Sequence, residues 1–79
     1  MDPQQKAKAA LCNYWRDLEE HIEPSDIVVV WFCYILGGWK TLMFISSYPT
    51  NYFEVTYNSR KQEMYLDHYR KVFNKAIPG

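Results

Sequence analysis

The 79 residues of this chain carry no formal net charge and have room for one small domain, residues 1–79, but not for two. A chain this short buries only about 60% of its unfolded surface, so disulfides, a metal, aromatic packing or self-association must support it. The cysteines Cys12 and Cys33 allow at most one disulfide, and neither they nor His21 and His68 have metal-site spacing. The aromatic content of 18% therefore favours aromatic packing and self-association.

The charges are unevenly spread along the chain. Counting Lys, Arg, Asp and Glu, residues 1–26 carry −3, residues 27–57 are neutral and residues 58–79 carry +3. Most such charges belong to solvated faces, and the alternative is a basic C-terminal face for an anionic partner. No cationic leader followed by an apolar segment is visible at the N-terminus, so the sequence predicts a cytoplasmic protein with reduced thiols.

The first predicted element is a helix over about residues 3–22. Asp2 can cap it, Pro3 suits the first helical position, and Gln5 completes a pattern like a capping box. Pro24 ends the helix because it disfavours the α conformation at the residue before it. The expected apolar stripe recurs at spacings of three and four and consists of Ala7, Leu11, Tyr14, Leu18 and Ile22.

A run of ten uncharged residues, 27–36, predicts the first strand because it is rich in β-branched and aromatic types. It is too short to cross a bilayer, which requires about 20 apolar residues. Gly37–Gly38 directly afterwards predicts a two-residue hairpin turn with positive φ. A second strand is then expected over about residues 39–46.

The hairpin is expected to be apolar on both faces. The cross-strand pairs that follow from the turn are Leu36 with Trp39, Tyr34 with Thr41, and Phe32 with Met43. One face then consists of Val28, Val30, Phe32, Tyr34, Leu36, Trp39, Met43 and Ile45, and the other of Val29, Trp31, Cys33, Ile35, Leu42 and Phe44 with Lys40 at its rim. Cys33 lies mid-strand among apolar residues, so we expect it in the core. A single helix cannot cover both faces, so we also expect a homodimer with Trp39 or the strand 52–57 at its interface.

The remainder of the chain predicts further strands and a final helix. Residues 46–51 read as a loop, 52–57 as a third strand, 58–62 as a polar turn and 63–66 as a short fourth strand. Asp67 can then cap a C-terminal helix with the stripe Tyr69, Val72, Phe73 and Ala76; the alternative is one helix over 61–76. The predicted class is α+β: an N-terminal helix, an antiparallel three- to four-stranded β-meander and a short C-terminal helix.

Four segments carry a family resemblance: Val29–Cys33, Trp39–Lys40, Tyr52–Asn58, and Glu63–Asp67 with Tyr69 and Lys71. Together they resemble a family of small uncharacterised proteins of phages and prophages of low-GC Gram-positive bacteria, over about residues 27–73. The family has no established activity, so the resemblance implies no catalytic residues. It implies a context, which is a phage accessory protein made in the bacterial host cytoplasm.

No residue pattern indicates an enzyme, a cofactor or a metal site. The candidate surface for a partner or ligand consists of aromatic residues interleaved with basic ones: Trp39, Lys40, Tyr52, Tyr57, Arg60, Lys61, Tyr65, Tyr69 and Arg70. Aromatic rings and cations suit bases and phosphates, although aromatic residues at strand spacing more often form a core or a self-interface.

The leading hypothesis is a non-enzymatic phage accessory protein that binds and inhibits a host bacterial protein, such as a defence component. The first alternative is a sequestering protein for a nucleotide-type signal molecule, with aromatic and basic residues around a pocket at a subunit junction. The second is a DNA- or RNA-binding accessory protein. No membrane partner is expected.

Overall fold

A computed structural model describes residues 2–79 and shows one helix packed against one face of a four-stranded antiparallel sheet. The strand order β1-β2-β3-β4 makes the sheet a meander. The predicted α+β class, N-terminal helix and antiparallel meander are confirmed. The elements are α1 (Pro3–Leu18), a 3₁₀ turn (Pro24–Asp26), β1 (Ile27–Ile35), β2 (Gly38–Ile45), β3 (Tyr48–Asn58) and β4 (Glu63–Arg70).

Helix α1 begins where the sequence predicts and ends four residues earlier. The Asp2 carboxylate accepts the Gln5 backbone N–H at 2.8 Å, and the Gln5 side chain accepts the Asp2 N–H at 3.2 Å, which is a capping box. The buried stripe recurs every four residues as Ala7, Leu11 and Trp15. The next position of that repeat is Glu19, so another turn would bury nothing. Leu18 is consequently exposed, and Ile22 is buried from the loop after the helix.

The turn between β1 and β2 lies one residue earlier than predicted. Ile35 pairs with Gly38, so the two central residues are Leu36 and Gly37. Only Gly37 has a positive φ, +83°, which is the position that a type II turn gives to glycine. Gly38 is needed for a different reason, because a Cβ on it would lie 1.8 Å from the Tyr57 carbonyl oxygen of the neighbouring strand.

A β-bulge at Val30 corrects the predicted faces of the hairpin. Val29 pairs with Met43 and Trp31 pairs with Leu42, so Val30 is an extra residue in β1. The fully buried Thr41 hydroxyl donates to the Trp31 carbonyl oxygen at 2.8 Å, which satisfies a backbone group that the bulge displaces. Phe32 pairs with Thr41 and not Met43, and Tyr34 pairs with Trp39 and not Thr41, because the turn lies one residue earlier than predicted.

The bulge changes the side of the sheet on which β1 residues lie, relative to the prediction, only for the residues up to and including Val30. Val29 lies with the buried side chains of β2, whereas Val28 and Val30 lie with the outward ones, the opposite of the prediction. The predicted facing of the later β1 residues and of β2 is correct.

The last two strands are longer than predicted, and the predicted C-terminal helix is absent. β3 begins at Tyr48 inside the predicted loop, with a register irregularity before Tyr52. β4 continues to Arg70 because its residues alternate: Leu66 and His68 pair inward with β3, and Asp67 points outward instead of capping a helix. Residues 71–79 have no regular secondary structure and are exposed; we call them the C-terminal segment.

The core lies between α1 and one face of the sheet. Phe53 is at its centre, with its ring stacked on His68 at a centroid distance of 4.6 Å and edge-on to Tyr14 and Trp15 at 6.2 and 5.6 Å. Such pairs add about 0.5–1.5 kcal/mol each beyond area burial. The remaining buried apolar side chains are Ala7, Leu11, Ile22, Ile27, Trp39, Met43, Ile45 and Val55.

The two glycines at the first turn give different predictions. Gly37→Ala should lower the free energy of unfolding by about 1–2 kcal/mol, because alanine is strained at positive φ. Gly38→Ala should cost more, because its methyl group meets backbone atoms of β3 that cannot move independently. Chemical denaturation measures both, with Gly79→Ala as the control in open space. A Gly37→Ala cost equal to or larger than that of Gly38→Ala would contradict this turn geometry.

Candidate binding face

No element of residues 2–79 covers the sheet face opposite α1, and we call it the open face. It is formed by alternate residues of all four strands. These are Val28, Val30, Trp31, Cys33 and Ile35 from β1, Lys40, Leu42 and Phe44 from β2, Tyr52, Glu54 and Thr56 from β3, and Glu63, Tyr65, Asp67 and Tyr69 from β4. It is therefore an uncovered surface on which side chains from every strand come together.

The β1–β2 half of the open face is apolar. Val28, Val30, Trp31 and Ile35 are large hydrophobic side chains of β1, and each is between 40% and 48% exposed. A contiguous apolar patch of this kind is uncommon on a monomer and usually marks an interaction site.

The β3–β4 half of the open face is acidic and aromatic. Glu54 and Asp67 are directly opposite each other on neighbouring strands, and Glu63 lies on the same side of β4. Among the strand residues of the face the single cation is Lys40, whose Nζ is 3.7 Å from a Glu54 oxygen. Like charges directly opposite one another destabilise a sheet. The face thus keeps an excess of negative charge beside an apolar surface.

The structure divides the nine candidate residues among several places. Lys40, Tyr52, Tyr65 and Tyr69 lie on the open face. Trp39 does not belong to a surface, because it is only 5% exposed and its ring stacks on Tyr57 in the core at 5.5 Å. Alternation explains the difference, since Trp39 and Lys40 are neighbours in one strand and must face opposite sides.

The other candidates lie away from the open face. Tyr57 is half-buried against the core, with the Lys6 ammonium 6.0 Å from its ring centroid. Arg60 and Lys61 are exposed in the turn between β3 and β4, where their backbone N–H groups donate to the Asn58 side-chain oxygen. Arg70 is exposed at the end of β4, opposite Asn51.

The sequence reasoning omitted several residues that define the open face. The apolar ones are Val28, Val30, Trp31, Ile35, Leu42 and Phe44, and the acidic ones are Glu54 and Asp67. The predicted pairing of the hairpin already places Trp31, Ile35, Leu42 and Phe44 on one apolar face, although they are not among the nine candidate residues. The predicted third strand likewise places Glu54 on the same side as Tyr52. Asp67 has no predicted place in the sheet, because it is predicted to cap a helix.

A cavity of about 300 Å³ lies at the end of the sheet where the two hairpin turns meet. Its lining includes Ile35, Leu36 and Tyr57 together with the basic residues Arg60 and Lys61. This size is at the lower limit of small-molecule sites. Three of the candidate residues, Tyr57, Arg60 and Lys61, meet here.

A half-buried polar cluster joins α1 to β3 and β4. The His68 Nε2 is 2.8 Å from the Asn51 side-chain oxygen, which can only accept, so this nitrogen carries the proton. The His68 Nδ1 then accepts the Tyr14 hydroxyl at 2.8 Å. Burial, and secondly the positive charge of Arg70, lower the pKa of His68. Because both ring nitrogens are occupied by structural partners, the cluster stabilises the fold.

Among residues 2–79, no group of three or more His, Cys, Asp or Glu side chains could hold a metal ion. No helix in this part of the chain combines the length and the apolarity needed to span a membrane. The two cysteines are free thiols: Cys12 is half-buried, and Cys33 is exposed on the open face. The expectation of a core position for Cys33 is wrong, because nothing covers its side of β1.

Comparison with known proteins gives a family and no activity. A family model described as a family of unknown function (DUF6275) matches residues 4–79. No curated protein and no solved structure matches the chain.

The two thiols should differ in reactivity. At low micromolar concentration, a thiol reagent should label one cysteine per chain rapidly, and Cys33→Ser should remove the fast phase because Cys33 is exposed. Cys12 should react slowly, because burial and, to a smaller extent, the nearby Glu23 and Asp26 raise the pKa of its thiol. Equal rates at the two positions would show that the open face is covered.

The stability of the fold should decrease as the pH falls below neutrality. The pKa of His68 is lowered from the ordinary value of 6.5, so the unfolded chain takes up a proton before the folded chain does. The free energy of unfolding should therefore fall as the pH drops through about 6.5 and stop falling, for this group, below the folded pKa. Denaturation of the protein and of His68→Phe at pH 7.5 and 5.5 measures the effect. An unchanged pH dependence in His68→Phe would contradict it.

Proposed function

This chain belongs to the DUF6275 family of unknown function, and we propose that it is a non-enzymatic binding protein whose open face docks another protein. The observation that carries the proposal is the open face itself, where an exposed apolar half adjoins an acidic, aromatic half. The partner that fits presents apolar side chains next to lysine or arginine, because these would complement Trp31 and Leu42 on one half and Glu54 and Asp67 on the other.

The charge of the open face favours a protein over a nucleic acid. Nucleic-acid binding relies on cations that neutralise phosphates, and single-stranded binders place aromatic residues in a positively charged groove. The open face has aromatic side chains from all four strands, but its strand residues carry three carboxylates and one ammonium group. A phosphate backbone would be repelled where those rings lie.

The same charges disfavour two copies stacked face to face. In a two-fold arrangement of this kind, the acidic half of one open face meets either the acidic half or the apolar half of the other. The first brings carboxylates together, and the second buries Glu54 and Asp67 against apolar groups without partners. A different protein with cationic groups avoids both the repulsion between carboxylates and the burial of carboxylates without partners.

The biological setting in the proposal comes from the resemblance to phage and prophage proteins. In that setting the protein acts in the bacterial cytoplasm as a phage accessory protein that binds and inhibits a host protein, such as a defence component.

A second candidate is the sequestration of a nucleotide-type signal molecule. It is favoured by the cavity at the end of the sheet, where the aromatic ring of Tyr57 lies beside Arg60 and Lys61. An aromatic plane and two cations are the groups that a base and a phosphate require. This cavity is separate from the acidic part of the open face, so the two candidates can be tested independently.

Capture from a bacterial lysate with matched variants tests the leading proposal. The immobilised protein should retain one host protein, and Trp31→Ala and Glu54→Gln should each reduce its retention at least about fivefold, since one removes apolar contact and the other a charge. Glu54→Gln should change the free energy of unfolding by less than about 0.5 kcal/mol, because it also relieves repulsion from Asp67.

Two control variants make the same chemical changes elsewhere. Tyr34→Ala removes an exposed aromatic side chain on the helix side of β1, and Asp17→Asn removes an exposed carboxylate of α1. Both should retain the host protein fully. If the controls lose as much as the open-face variants, the open face is not the binding site. A melting temperature that rises with an added nucleotide, and does not rise in Lys61→Ala, would favour sequestration instead.

A further inference from the structure

The two edges of the sheet differ in their readiness to pair with another strand. β1 forms one edge, and the bulge at Val30 interrupts its register. β4 forms the other edge, and its pairing with β3 runs without irregularity from Glu63 to Arg70. A long regular edge strand is a template for pairing with another chain, whereas a bulge protects an edge. The β4 edge is therefore where strand addition is geometrically possible.

The first residue of the C-terminal segment still pairs with β3. The Lys71 N–H donates to the Thr50 carbonyl oxygen at 2.7 Å, which extends the ladder with β3 by one residue. Because N–H groups alternate along a strand, those of Leu66, His68, Arg70 and Val72 point away from β3. Beyond this point Val72, Phe73 and Ile77 are 96%, 73% and 78% exposed. The edge thus offers free backbone groups and unburied apolar side chains together.

The side chains along this edge form a self-complementary series. On the open-face side, β4 alternates acidic and aromatic residues, namely Glu63, Tyr65, Asp67 and Tyr69. If the strand continues in the same alternation, Lys71, Phe73 and Lys75 follow on that side. The order of charges is therefore negative, negative, positive, positive, with an aromatic residue between each two and Tyr69 at the centre.

We propose that the β4 edge binds the β4 edge of a second copy, antiparallel, with Tyr69 opposite Tyr69 on the two-fold axis. In this register Asp67 faces Lys71 of the second copy, Tyr65 faces Phe73, and Glu63 faces Lys75. Leu66 faces Val72 on the other side of the strand. Every charge on the open-face side of the edge meets its opposite, and the C-terminal segment gains a partner along its length.

Other antiparallel registers lack this match. Placing Asp67 on the axis sets two carboxylates opposite each other, and placing Lys71 there sets two ammonium groups opposite each other. With His68 or Arg70 on the axis instead, the carboxylates lie opposite aromatic or apolar side chains. The arrangement with Tyr69 on the axis joins two sheets into one of eight strands, and it places the two open faces side by side. It does not depend on the partner proposed above, because it uses backbone groups of the edge.

Sedimentation of the full-length protein between about 1 and 100 µM tests the proposal, with a dimer expected. Val72→Pro removes an outward N–H from a residue that is exposed in the single chain, and it should raise the dimer dissociation constant about tenfold or more. Val72→Ala keeps that N–H and serves as the control, with a smaller increase expected. Because residue 72 lies outside the core, both variants should unfold at the same denaturant concentration as the original protein when all are measured well below the dimer dissociation constant, where association adds no stability.

Charge reversal tests the register. Asp67→Lys and Lys71→Asp should each weaken the dimer, because each sets like charges opposite one another at two symmetric places. The double variant restores opposite charges and should recover the dimer. The proposal is overturned by a monomer throughout the concentration range, by a dimer that Val72→Pro leaves unchanged, or by a double variant as weak as the single ones. Failure of the open-face proposal would appear separately, as host-protein retention that does not respond to Trp31→Ala or Glu54→Gln.

Discussion

One helix cannot cover both faces of this sheet, and the main features of the molecule follow from that constraint. An α-helix with its side chains is about 10–12 Å wide, whereas four strands about 4.8 Å apart form a sheet about 19 Å wide. The sixteen residues of α1 bury Trp39, Met43, Phe53 and Val55 beneath them. Nothing remains in the described chain to cover the other side, because the C-terminal segment makes no helix and its apolar side chains stay exposed.

The open face is organised in a way that stability alone does not explain. Glu54 and Asp67 oppose each other across neighbouring strands, and the ion pair of Glu54 with Lys40 is partly exposed and contributes little. Replacing either carboxylate by a neutral residue would relieve repulsion within the sheet. Residues that lower the stability of a fold are typical of sites with another role. These two carboxylates therefore matter as much to the proposed binding as the apolar side chains beside them.

The two edges of the sheet also differ, because the register of β1 is interrupted and that of β4 is regular. At β1 the bulge is accommodated because the Thr41 hydroxyl satisfies the Trp31 carbonyl group from the core side. At β4 the register stays regular, held from within by the stacking of His68 on Phe53 and by the hydrogen bonds of His68 to Tyr14 and Asn51. The cluster that fixes β4 against the core lies within the part of the strand whose register with β3 is regular.

Local sequence signals determined the elements whose chemistry is local. The capping box of Asp2 and Gln5 set the start of α1, and the run 27–36 marked a strand. The alternation of β2 separated Trp39 from Lys40 correctly, but assigning Trp39 to a surface required knowing which side α1 would cover. The identity of the turn residues depended on the close approach of β3 to Gly38, and the facing of Val28 and Val30 depended on the bulge. Residues 67–70 became strand and not helix because β3 offered them a ladder of hydrogen bonds and a place for His68 against Phe53.

The sequence by itself therefore determined which segments are apolar and where α1 begins, since those follow from neighbouring residues. Only the tertiary structure decided which side of the sheet is buried and which residues share the open face, because both depend on contacts between segments distant in the chain.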